Sequence, residues 1–469
     1  MRENGHASVF VTASITPSLE GRLTEGKASV FRLTAQPYGV EDAHETATQA
    51  KRLGAEWVIV DGYNFGGMYQ EALKREGLRI LFVDDYGHAD HYAADTVLNQ
   101  NVSAKADLYA RRDDATELLL DTRYVLLQRQ FRNPPRGERP VPDIASRLLV
   151  TMGGSDGMNG TEKVIRALQG LEGIDPTVVI GGANPHQEAV ESLCRDVGFS
   201  CIINATNMRE LMEQADMAIS ASGTTSYELA YIGVPALTLI LANNQVALAE
   251  GMAAAGCSIN LGWHPQLTQK TIRSAVQELA RNRNHREKMA TAGRSLVDGD
   301  GASRVLMHLT GNSLRLRKAR HGDARLLWEW ANDAETRSAS LSSASIPWEQ
   351  HQEWIAMRLQ DPQTMLLLAF DREDEPMGYI RFETKEETVL SIAVAPGQRG
   401  KGHGSDILRS GLQSFFREHP SETMHAYVKE GNDASATLFR KAGFTELPKE
   451  EKDGHPVRHF TLQPGTLTT

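Results

Sequence analysis

The stretch GQRGKGHGSDIL, residues 397–408, alternates glycine with polar and charged residues and runs directly into an apolar helical pattern. Its glycines, which leave out side chains where a backbone must approach a ligand, are Gly397, Gly400, Gly402 and Gly404. The first N–H groups of a helix are unpaired and attract anions. The pattern therefore predicts a pyrophosphate site, to which positive character is added by Arg399, Lys401 and His403. Two alternatives are a loop that presents His403 as a catalytic histidine and a plain glycine-rich turn.

Composition sets broad limits on the rest of the chain. Its 469 residues suggest about three domains of roughly 150 residues each. The net charge of −10 argues against binding to nucleic acid or to an anionic membrane, and no apolar run reaches the ~18 residues that span a bilayer. The three cysteines, Cys194, Cys201 and Cys257, have no metal-binding spacing. We expect a cytoplasmic protein without a metal.

Strand and helix patterns alternate through the first 310 residues, which predicts an α/β fold with parallel sheets. The predicted strands are residues 8–12, 57–60, 80–83, 96–98, 147–152, 177–180, 201–203, 217–220 and 236–241. We predict two Rossmann-like domains, residues 1–135 and 145–310, joined by the Pro-rich connection FRNPPRGERPVPD (131–143). Two such domains leave a cleft that suits a nucleotide.

The third segment, residues 313–469, has a different order of elements. Helical patterns at residues 323–331 and 348–358 precede strand patterns at 365–370, 377–382 and 389–394. The glycine-rich stretch follows the last of these strands and leads into a helix at 405–417. A strand at 424–428 and a helix at 434–443 complete an α+β domain.

Two spaced motifs in this third segment resemble the GNAT family of N-acetyltransferases. RGKGHG (399–404) matches the family's Arg/Gln-x-x-Gly-x-Gly/Ala loop, and SIAV (391–394) resembles its splayed strand, which pairs with the pantetheine arm. NDASATLFRKAGF (432–444) resembles the element that follows. The resemblance implies a GNAT fold with acetyl-CoA as co-substrate. The cofactor-binding residues that it implies are Ile392, Val394, Arg399, Gly400, Lys401, Gly402, His403, Gly404 and Asn432.

One position departs from the family pattern. Phe439 stands where the family usually has the tyrosine that reprotonates the departing thiolate, and phenylalanine has no proton to give. By proximity in sequence, the candidates for this general acid are Tyr427, His425 and Ser435. The base that deprotonates the acceptor is open between Glu386, Glu387 and a chain of waters.

The acceptor side resembles a GNAT subgroup that acetylates amino groups on nucleotide-linked deoxysugars. The matching segments are WANDAETR (330–337) and IPWEQHQEW (346–354). The resemblance implies that Arg337 and His351 contact a UDP-linked amino-deoxysugar and that aromatic rings there stack on it. The alternative is that these aromatic residues are core residues of a helix face.

A second candidate phosphate site lies in SASGTTSYELAYIGVP, residues 220–235. Gly223 and Thr224 place backbone N–H groups at a predicted helix start. Glu228 either completes a capping box with Thr225 or accepts a ribose diol. Just past the next strand, Asn244 and Gln245 are either helix caps or ligand contacts. Gly154, in the Gly-Gly pair after another strand, is a further candidate for binding.

Taken in order, these segments resemble the UDP-sugar hydrolase family of pseudaminic-acid biosynthesis, which has two Rossmann-like domains of the GT-B type. Further matching pieces are DGYN (61–64), VDD (83–85), NQN (99–101), YVLL (124–127), MGGSD (152–156) and NMRELM (207–212). The resemblance implies that Tyr63 and Asn244 contact the substrate and that the segment from Gly223 to Ser226 holds its diphosphate. It implies water attack on the anomeric carbon with release of UDP.

This hydrolase family begins with a strand and a loop that carries a catalytic histidine, and the present sequence aligns from the end of the first helix onward. We therefore expect the first domain to lack its first strand and loop, and we expect weak hydrolysis because His6 is a poor substitute. The favoured function is a bifunctional enzyme of nonulosonate synthesis. The alternatives are an acetyltransferase with a non-catalytic nucleotide-sugar binding module and, ranked lower, a glycosyltransferase.

Overall fold

The computed structural model describes residues 5–15, 17–132, 139–452 and 454–465. The chain forms two compact units, Met1–Val305 and Leu306–Thr469. The division of the first unit into domains 1–135 and 145–310, and the start of the last domain at residue 313, stay predictions. Residues 133–138 of the predicted connection lie outside the described residues.

The first unit begins with two separate parallel sheets. The two-stranded sheet pairs β1 (Val9–Thr12) with β2 (Ser29–Arg32), with α1 (Pro17–Glu25) between them. The four-stranded sheet follows α2 (Val40–Arg52), and its strands lie side by side in sequence order. They are β3 (Trp57–Asp61), β4 (Arg79–Val83), β5 (Thr96–Asn99) and β6 (Glu117–Leu120), with α3 (Gly67–Arg75) between β3 and β4 in the chain. Among the described residues no strand links the two sheets, and Phe10 and Ile59 stay exposed.

The remainder of the first unit is a six-stranded parallel sheet covered by helices. After α4 (Arg129–Arg132) its elements are β7 (Arg147–Thr151), α5 (Gly160–Leu168), β8 (Asp175–Ile180), α6 (Gln187–Val197), β9 (Ser200–Ile203), α7 (Met208–Gln214), β10 (Met217–Ala221), α8 (Thr225–Ile232), β11 (Ala236–Ile240), α9 (Val246–Ala254), β12 (Ser258–Trp263), α10 (Gln269–Arg281) and α11 (Arg283–Leu296). Every residue of β10 and β11 is buried, as expected for strands with helices on both faces.

The strand order of this sheet is β12-β11-β10-β7-β8-β9. The order reverses between β7 and β10, so the loops after these two strands diverge to opposite faces. Ligands of such sheets bind in the crevice at this switch point, outside the carboxyl ends of the strands. The fold therefore directs attention to the loops that follow Thr151 and Ala221.

The second unit is a mixed sheet with helices on both faces. Helix α12 (Gly301–Thr310) precedes its first strand in the chain. Its elements are β13 (Arg315–Lys318), α13 (Ala324–Ala331), α14 (Ala334–Ala339), α15 (Trp348–Gln360), β14 (Thr364–Phe370), β15 (Pro376–Thr384), β16 (Thr388–Val394), α16 (His403–Glu418), β17 (Met424–Lys429), α17 (Asp433–Lys441), β18 (Thr445–Glu446), β19 (Glu450–Lys452) and β20 (His455–Leu462). The sheet order is β13-β14-β15-β16-β17-β20-β18, and β19 pairs with β20.

Successive side chains of β15 point to opposite faces of this sheet. Ile380 and Phe382 belong to the core cluster that includes Leu408 and Leu412 of α16. A Cβ at Gly411 would come within 2.7 Å of Ile380, so glycine lets α16 lie close to the sheet. At the helix start, a Cβ at Gly404 would lie 3.5 Å from Val394, so the start of α16 lies beside the end of β16. Within the described residues, no helix of either unit is both long enough and apolar enough to cross a membrane.

Candidate functional site

The glycine-rich loop joins the end of β16 to an open helix start. Gly400 has φ +76° and Gly402, the residue before α16, has φ +91°, a backbone region that other residues rarely adopt. A Cβ at either position would meet open space, and no side chain caps the helix. The loop thus leaves the first N–H groups of α16 accessible to an anion.

Two positive side chains of the loop have partners within the protein, and the predicted contacts of the loop with acetyl-CoA stay predictions. Arg399 contacts Asp333 at 2.6 Å and Glu335 at 3.0 Å, both at the start of α14. The pKa of Asp333 is lowered by the backbone N–H of Thr336 and then by Arg399. Lys401 donates to Gln398 at 3.0 Å. Arg399 therefore anchors the loop to α14, a partnership that no local sequence pattern indicated.

Strands β16 and β17 part from each other beside this loop. They pair in parallel only at Thr388 with Met424 and at Val389 with His425, whereas β16 pairs with β15 along its whole length. Residues 390–394 therefore present one edge without strand partners to the gap. This edge includes Ile392 and Val394, and an extended ligand with amide groups can pair with it as a further strand would.

A cluster of titratable side chains lies where the two strands part. Tyr427 donates to Glu387 at 2.7 Å, and Lys452 donates to the same Oε1 atom at 3.1 Å. The Lys452 ammonium lies 3.3 Å from the centre of the Tyr427 ring. Burial alone would raise the pKa of Glu387, but the hydrogen bonds from Tyr427 and Lys452 outweigh it and lower that pKa. Burial and then Glu387 raise the pKa of Tyr427.

Two histidines extend the cluster onto β20. His425 Nδ1 lies 2.9 Å from His459 Nε2 and 3.6 Å from Glu387. His459 Nδ1 lies 3.2 Å from Glu450 on β19. The structure thus brings together three of the candidates, Tyr427, His425 and Glu387, and adds Lys452, His459 and Glu450, which sequence reasoning missed. Glu386 lies exposed in the turn before β16.

Residues of α17 are used structurally. Phe439 is buried, with its ring centre 5.1 Å from that of Phe444 and 5.7 Å from that of Phe460. Asn432 caps the helix by accepting from the backbone N–H of Ser435 at 3.1 Å. The predicted role of Asn432 in binding acetyl-CoA stays a prediction, and the core contacts of Phe439 explain why an apolar ring suits that position.

The two predicted acceptor residues lie in the helices before β14. Arg337 donates to the carbonyls of Ser342 and Ala344 at 3.4 and 3.3 Å and so fastens the loop after α14. His351 is buried between Trp348 and Trp354, and burial lowers its pKa. His351 is thus enclosed by aromatic residues of its own helix. The predicted contact of Arg337 and His351 with a sugar nucleotide stays a prediction.

In the first unit, the loop after β10 forms the second candidate site at the switch point. The buried hydroxyls of Ser222 and Ser226 have no hydrogen-bond partner among the residues that the structure describes. Gly223 between them has open space where a Cβ would lie. Helix α8 begins at Thr225 with Thr224 as its N-cap and without a side-chain cap. A ligand with several oxygen atoms can satisfy these hydroxyls.

The capping box predicted from Thr225 and Glu228 is therefore wrong, because Thr225 already lies inside the helix. Glu228 is buried on α8, and its role toward a ribose stays a prediction. Gly154 lies in the neighbouring loop after β7, where its carbonyl accepts from Ala183 at 3.1 Å. Both loops of the switch point thus carry predicted residues.

A polar network lies at the carboxyl ends of β3, β4 and β5. Tyr63 donates to Asp85 at 2.5 Å, and Asn101 donates to the same carboxylate at 2.9 Å. Tyr227 of α8 donates to Asn101 at 3.0 Å. The network therefore connects the four-stranded sheet with the helix of the switch-point site.

Two predicted residues meet in this network and a third does not. Tyr63 is in hydrogen-bond contact with Asn244, while partial burial and then Asp85 raise the pKa of Tyr63 to about 12. Gln245 accepts from the backbone N–H of Leu241 at 2.8 Å, which is the cap-like use of that amide. The pKa of Asp61 is raised by partial burial and then by the charge of Asp85. Sequence reasoning did not single out Asp61 by itself.

The described residues contain no group of three or more His, Cys, Asp or Glu side chains that could hold a metal ion. The glycine loop before α16 and the parted strands β16 and β17 form one candidate site, and the polar switch point of the doubly wound sheet forms the other.

Comparison with known proteins agrees with this division. Residues 313–445 match the Acetyltransferase (GNAT) domain, and residues 148–304 match the Glycosyltransferase family 28 C-terminal domain. The spore coat polysaccharide biosynthesis protein SpsG of Bacillus subtilis is 31% identical over 231 residues, which cover 48% of this chain and 67% of that protein. The predicted α/β fold class with a GT-B-like part and a GNAT domain is confirmed.

One further relative and one solved structure are similar to parts of this chain. A pseudaminic acid cytidylyltransferase and UDP-2,4-diacetamido-2,4,6-trideoxy-beta-L-altropyranose hydrolase of Helicobacter pylori is 23% identical over 267 residues, which cover 55% of this chain and 46% of that protein. The structure of a spermidine N-acetyltransferase from Vibrio cholerae with CoA and spermine is 17% identical, with a TM-score of 0.30, and covers 33% of this chain and 98% of that chain.

The molecule is thus a fusion of a nucleotide-sugar-related α/β part with a GNAT acetyltransferase domain. More particularly, the chain belongs to the family of the spore coat polysaccharide biosynthesis protein SpsG.

Proposed function

We propose that the second unit transfers the acetyl group of acetyl-CoA to the amino group of a UDP-linked amino-deoxysugar. The observation that carries the proposal is the parting of β16 and β17 next to the open start of α16. The helix start suits the pyrophosphate of the cofactor, and the free edge of residues 390–394 suits the amides of its pantetheine arm. The match of residues 313–445 to the GNAT domain supports the same assignment.

In this reaction the acceptor must first lose a proton, since an ammonium has no lone pair. The amine nitrogen then forms a bond to the thioester carbonyl carbon, and the carbon–sulfur bond breaks. Backbone N–H groups near Ile392 and Val394 would polarise the carbonyl oxygen as negative charge develops on it. The thiolate of CoA leaves and takes up a proton, for which Tyr427 is the donor in this proposal.

The first unit binds the UDP part of such a sugar in this proposal. The unpartnered hydroxyls of Ser222 and Ser226 suit the diphosphate oxygens, and the pair of Tyr63 and Asn244 suits the sugar. The hydrolase activity of the Helicobacter pylori relative supports release of UDP by hydrolysis as the second activity. The runner-up is that this unit only binds the nucleotide sugar, which its retained polar network also supports.

One experiment separates these functions. The purified chain is mixed with acetyl-CoA and a UDP-4-amino-4,6-dideoxy sugar, and free CoA and free UDP are followed separately by chromatography. We expect CoA release in equal amount to acetylated sugar. UDP release in addition supports the hydrolase, whereas CoA release without UDP supports the binding module. Absence of CoA release would overturn the proposed acetyl transfer.

A further inference from the structure

We propose that His425 takes the proton from the acceptor ammonium and that His459 and Glu450 relay this proton to solvent. The inference rests on the proposed acetyltransferase function and names the base that this function requires. It depends on three groups in hydrogen-bond series, of which only His425 was considered from the sequence. His425 is the group expected to touch the acceptor, and His459 and Glu450 are positioning residues.

A carboxylate beside each ring indicates which of its nitrogens carries the hydrogen. His459 Nδ1 lies 3.2 Å from Glu450, so this nitrogen carries the hydrogen and His459 Nε2 carries the lone pair. His425 Nδ1, 2.9 Å from that lone pair, must then donate to it. Glu387, 3.6 Å from the same Nδ1 atom, favours a hydrogen there as well. The remaining nitrogen, His425 Nε2, is left with a lone pair and can act as a base.

The position of His425 suits this role. It is the last residue of β17 that pairs with β16, so it stands where the strands part. Exposure of the side chains changes from 20% at His425 to 11% at His459 and 44% at Glu450. The series therefore leads from the partly buried parting of the strands through a buried ring to the surface.

Charged and titratable groups surround the two rings from every neighbouring strand. They are Glu387 before β16, Tyr427 on β17, Glu450 and Lys452 on β19, and the two histidines themselves. Burial and then the neighbouring His425 and Lys452 act against protonation of His459, while Glu450 and Glu387 favour it, and the net pKa of His459 is lowered. A ring that is neutral at rest can receive a proton from His425 and pass its own Nδ1 hydrogen onward.

The protons balance over one turnover. His425 Nε2 accepts a proton from the ammonium, the Nδ1 hydrogen of His425 moves to His459 Nε2, and the Nδ1 hydrogen of His459 moves to Glu450, which loses it to water. The free amine attacks the thioester and its carbon–sulfur bond breaks. Tyr427 gives its hydroxyl proton to the CoA thiolate, and the attacking nitrogen returns its second proton to Tyr427, so that one proton per turnover leaves through the histidines. Rotation or exchange with water restores the starting tautomers.

The test is the pH dependence of kcat/KM for CoA release in the full chain with the UDP-4-amino-4,6-dideoxy sugar. We compare H425Q, H459Q and E450Q with the wild type, and H321Q is the control because His321 is an exposed histidine of the same unit outside the cluster. We expect H425Q to lower kcat/KM about 100-fold at pH 7, a usual size for loss of a general base, and to leave the KM for acetyl-CoA unchanged.

Because a neutral amine needs no base, the deficit of H425Q should shrink as the pH rises above the pKa of the acceptor amine. H459Q should lower kcat about 10-fold with the same pH trend, E450Q less, and H321Q should match the wild type. H425A should regain activity when imidazole is added, which distinguishes loss of a base from loss of folding.

If the wild type is active and the activity of H425Q stays within twofold of it at all pH values, this inference is overturned, whereas the proposed function stands. An equal loss at every pH, without rescue of H425A by imidazole, would also overturn the inference. A wild-type chain that releases no CoA with the sugar nucleotide or with simple primary amines overturns the proposed function, and the inference falls with it.

Discussion

The two helix starts that we assign to phosphate groups are built in opposite ways. At α16 the loop is exposed, its backbone adopts positive φ at Gly400 and Gly402, and its neighbouring cations are Arg399 and Lys401. At α8 the loop is buried, and its polar groups are the unpartnered hydroxyls of Ser222 and Ser226. One site offers accessible backbone N–H groups and the exposed ammonium of Lys401, since Arg399 is paired with Asp333 and Glu335. The other site offers desolvated hydrogen-bond donors.

This difference determines how each site should respond to its surroundings. Charge interactions near solvent are screened by salt, with a Debye length of ~10 Å at 0.1 M. Hydrogen bonds from buried hydroxyls are little affected by salt, but they are costly to leave unmade. Binding at α16 should therefore weaken as salt is added, and binding at α8 should depend on individual hydroxyls.

The largest effect is expected when a negative charge is placed at the start of α16. The substitution Gly402→Asp introduces a residue type that adopts the left-handed backbone more readily than most others. It also adds a carboxylate where we place the pyrophosphate. We expect kcat/KM for acetyl-CoA to fall about 100-fold, which corresponds to ~2.7 kcal/mol. The matched control is Gly402→Asn, which has the same shape without the charge and should lose less than about 10-fold.

Measurement of acetyl-CoA binding by calorimetry at low and high salt completes this test. Equal losses for the Asp and Asn variants would show that the backbone, not the anion site, is what Gly402 provides. UDP binding to the same variants should be unchanged.

A tenfold smaller effect is expected at α8. Ser222→Ala and Ser226→Ala each remove one buried hydroxyl and should raise the Kd for UDP about 10-fold, because a hydrogen bond to a charged group contributes about 1.5 kcal/mol. The control is Ser220→Ala, since the Ser220 hydroxyl already donates to the Ala221 carbonyl at 3.1 Å. Titration calorimetry with UDP at two salt concentrations measures both effects.

Unchanged UDP affinity in both serine variants would place the diphosphate elsewhere. A loss that grows strongly with salt would contradict the assignment of α8 as the desolvated site of the pair.

The sequence predicted what is local in these sites and missed what depends on distant pairing. The alternation of strands and helices and the glycines of both loops are patterns within a few residues, so the parallel sheets and the loop before α16 were predictable. Lys452, His459 and Glu450 reach the cluster because β17 pairs antiparallel with β20, which in turn pairs with β19. No short pattern reveals that Tyr427 faces His459.

Arg399 illustrates the same limit. The predicted contact of Arg399 with the cofactor stays a prediction. What no local pattern indicated is that its guanidinium pairs with Asp333 and Glu335, which lie more than sixty positions earlier in the sequence. Likewise, the spacing of Thr225 and Glu228 in the sequence fits a capping box. The structure excludes that capping box, because α8 already begins at Thr225. Helix boundaries set by tertiary packing decide between such alternatives.

Each unit holds a carboxylate near its proposed site, and the pKa values of these two carboxylates are shifted in opposite directions. The pKa of Asp61 is raised by partial burial and then by Asp85, whereas the pKa of Glu387 is lowered because hydrogen bonds from Tyr427 and Lys452 outweigh its burial. The ionised form of Asp61 therefore destabilises the fold, and the ionised form of Glu387 stabilises it. Substitution by the neutral amide should act with opposite signs on the two units.

The smallest expected effects are on thermal stability. The favourable protonated state of Asp61 is fully present below the unfolded-state pKa of about 3.9 and is lost as the pH rises through the raised folded-state pKa. Asp61→Asn should therefore raise Tm at pH 7 by about 2 °C, and the gain should shrink toward pH 4.

The benefit from ionised Glu387 is present above the unfolded-state pKa of about 4.3 and is lost as the pH falls through the lowered folded-state pKa. Glu387→Gln should therefore lower Tm at pH 7 by about 2 °C, with the loss shrinking on acidification. Calorimetric unfolding of both variants from pH 7 to pH 4 measures the two trends. A rise in Tm at pH 7 for both variants would mean that burial, and not the donors around Glu387, governs both carboxylates.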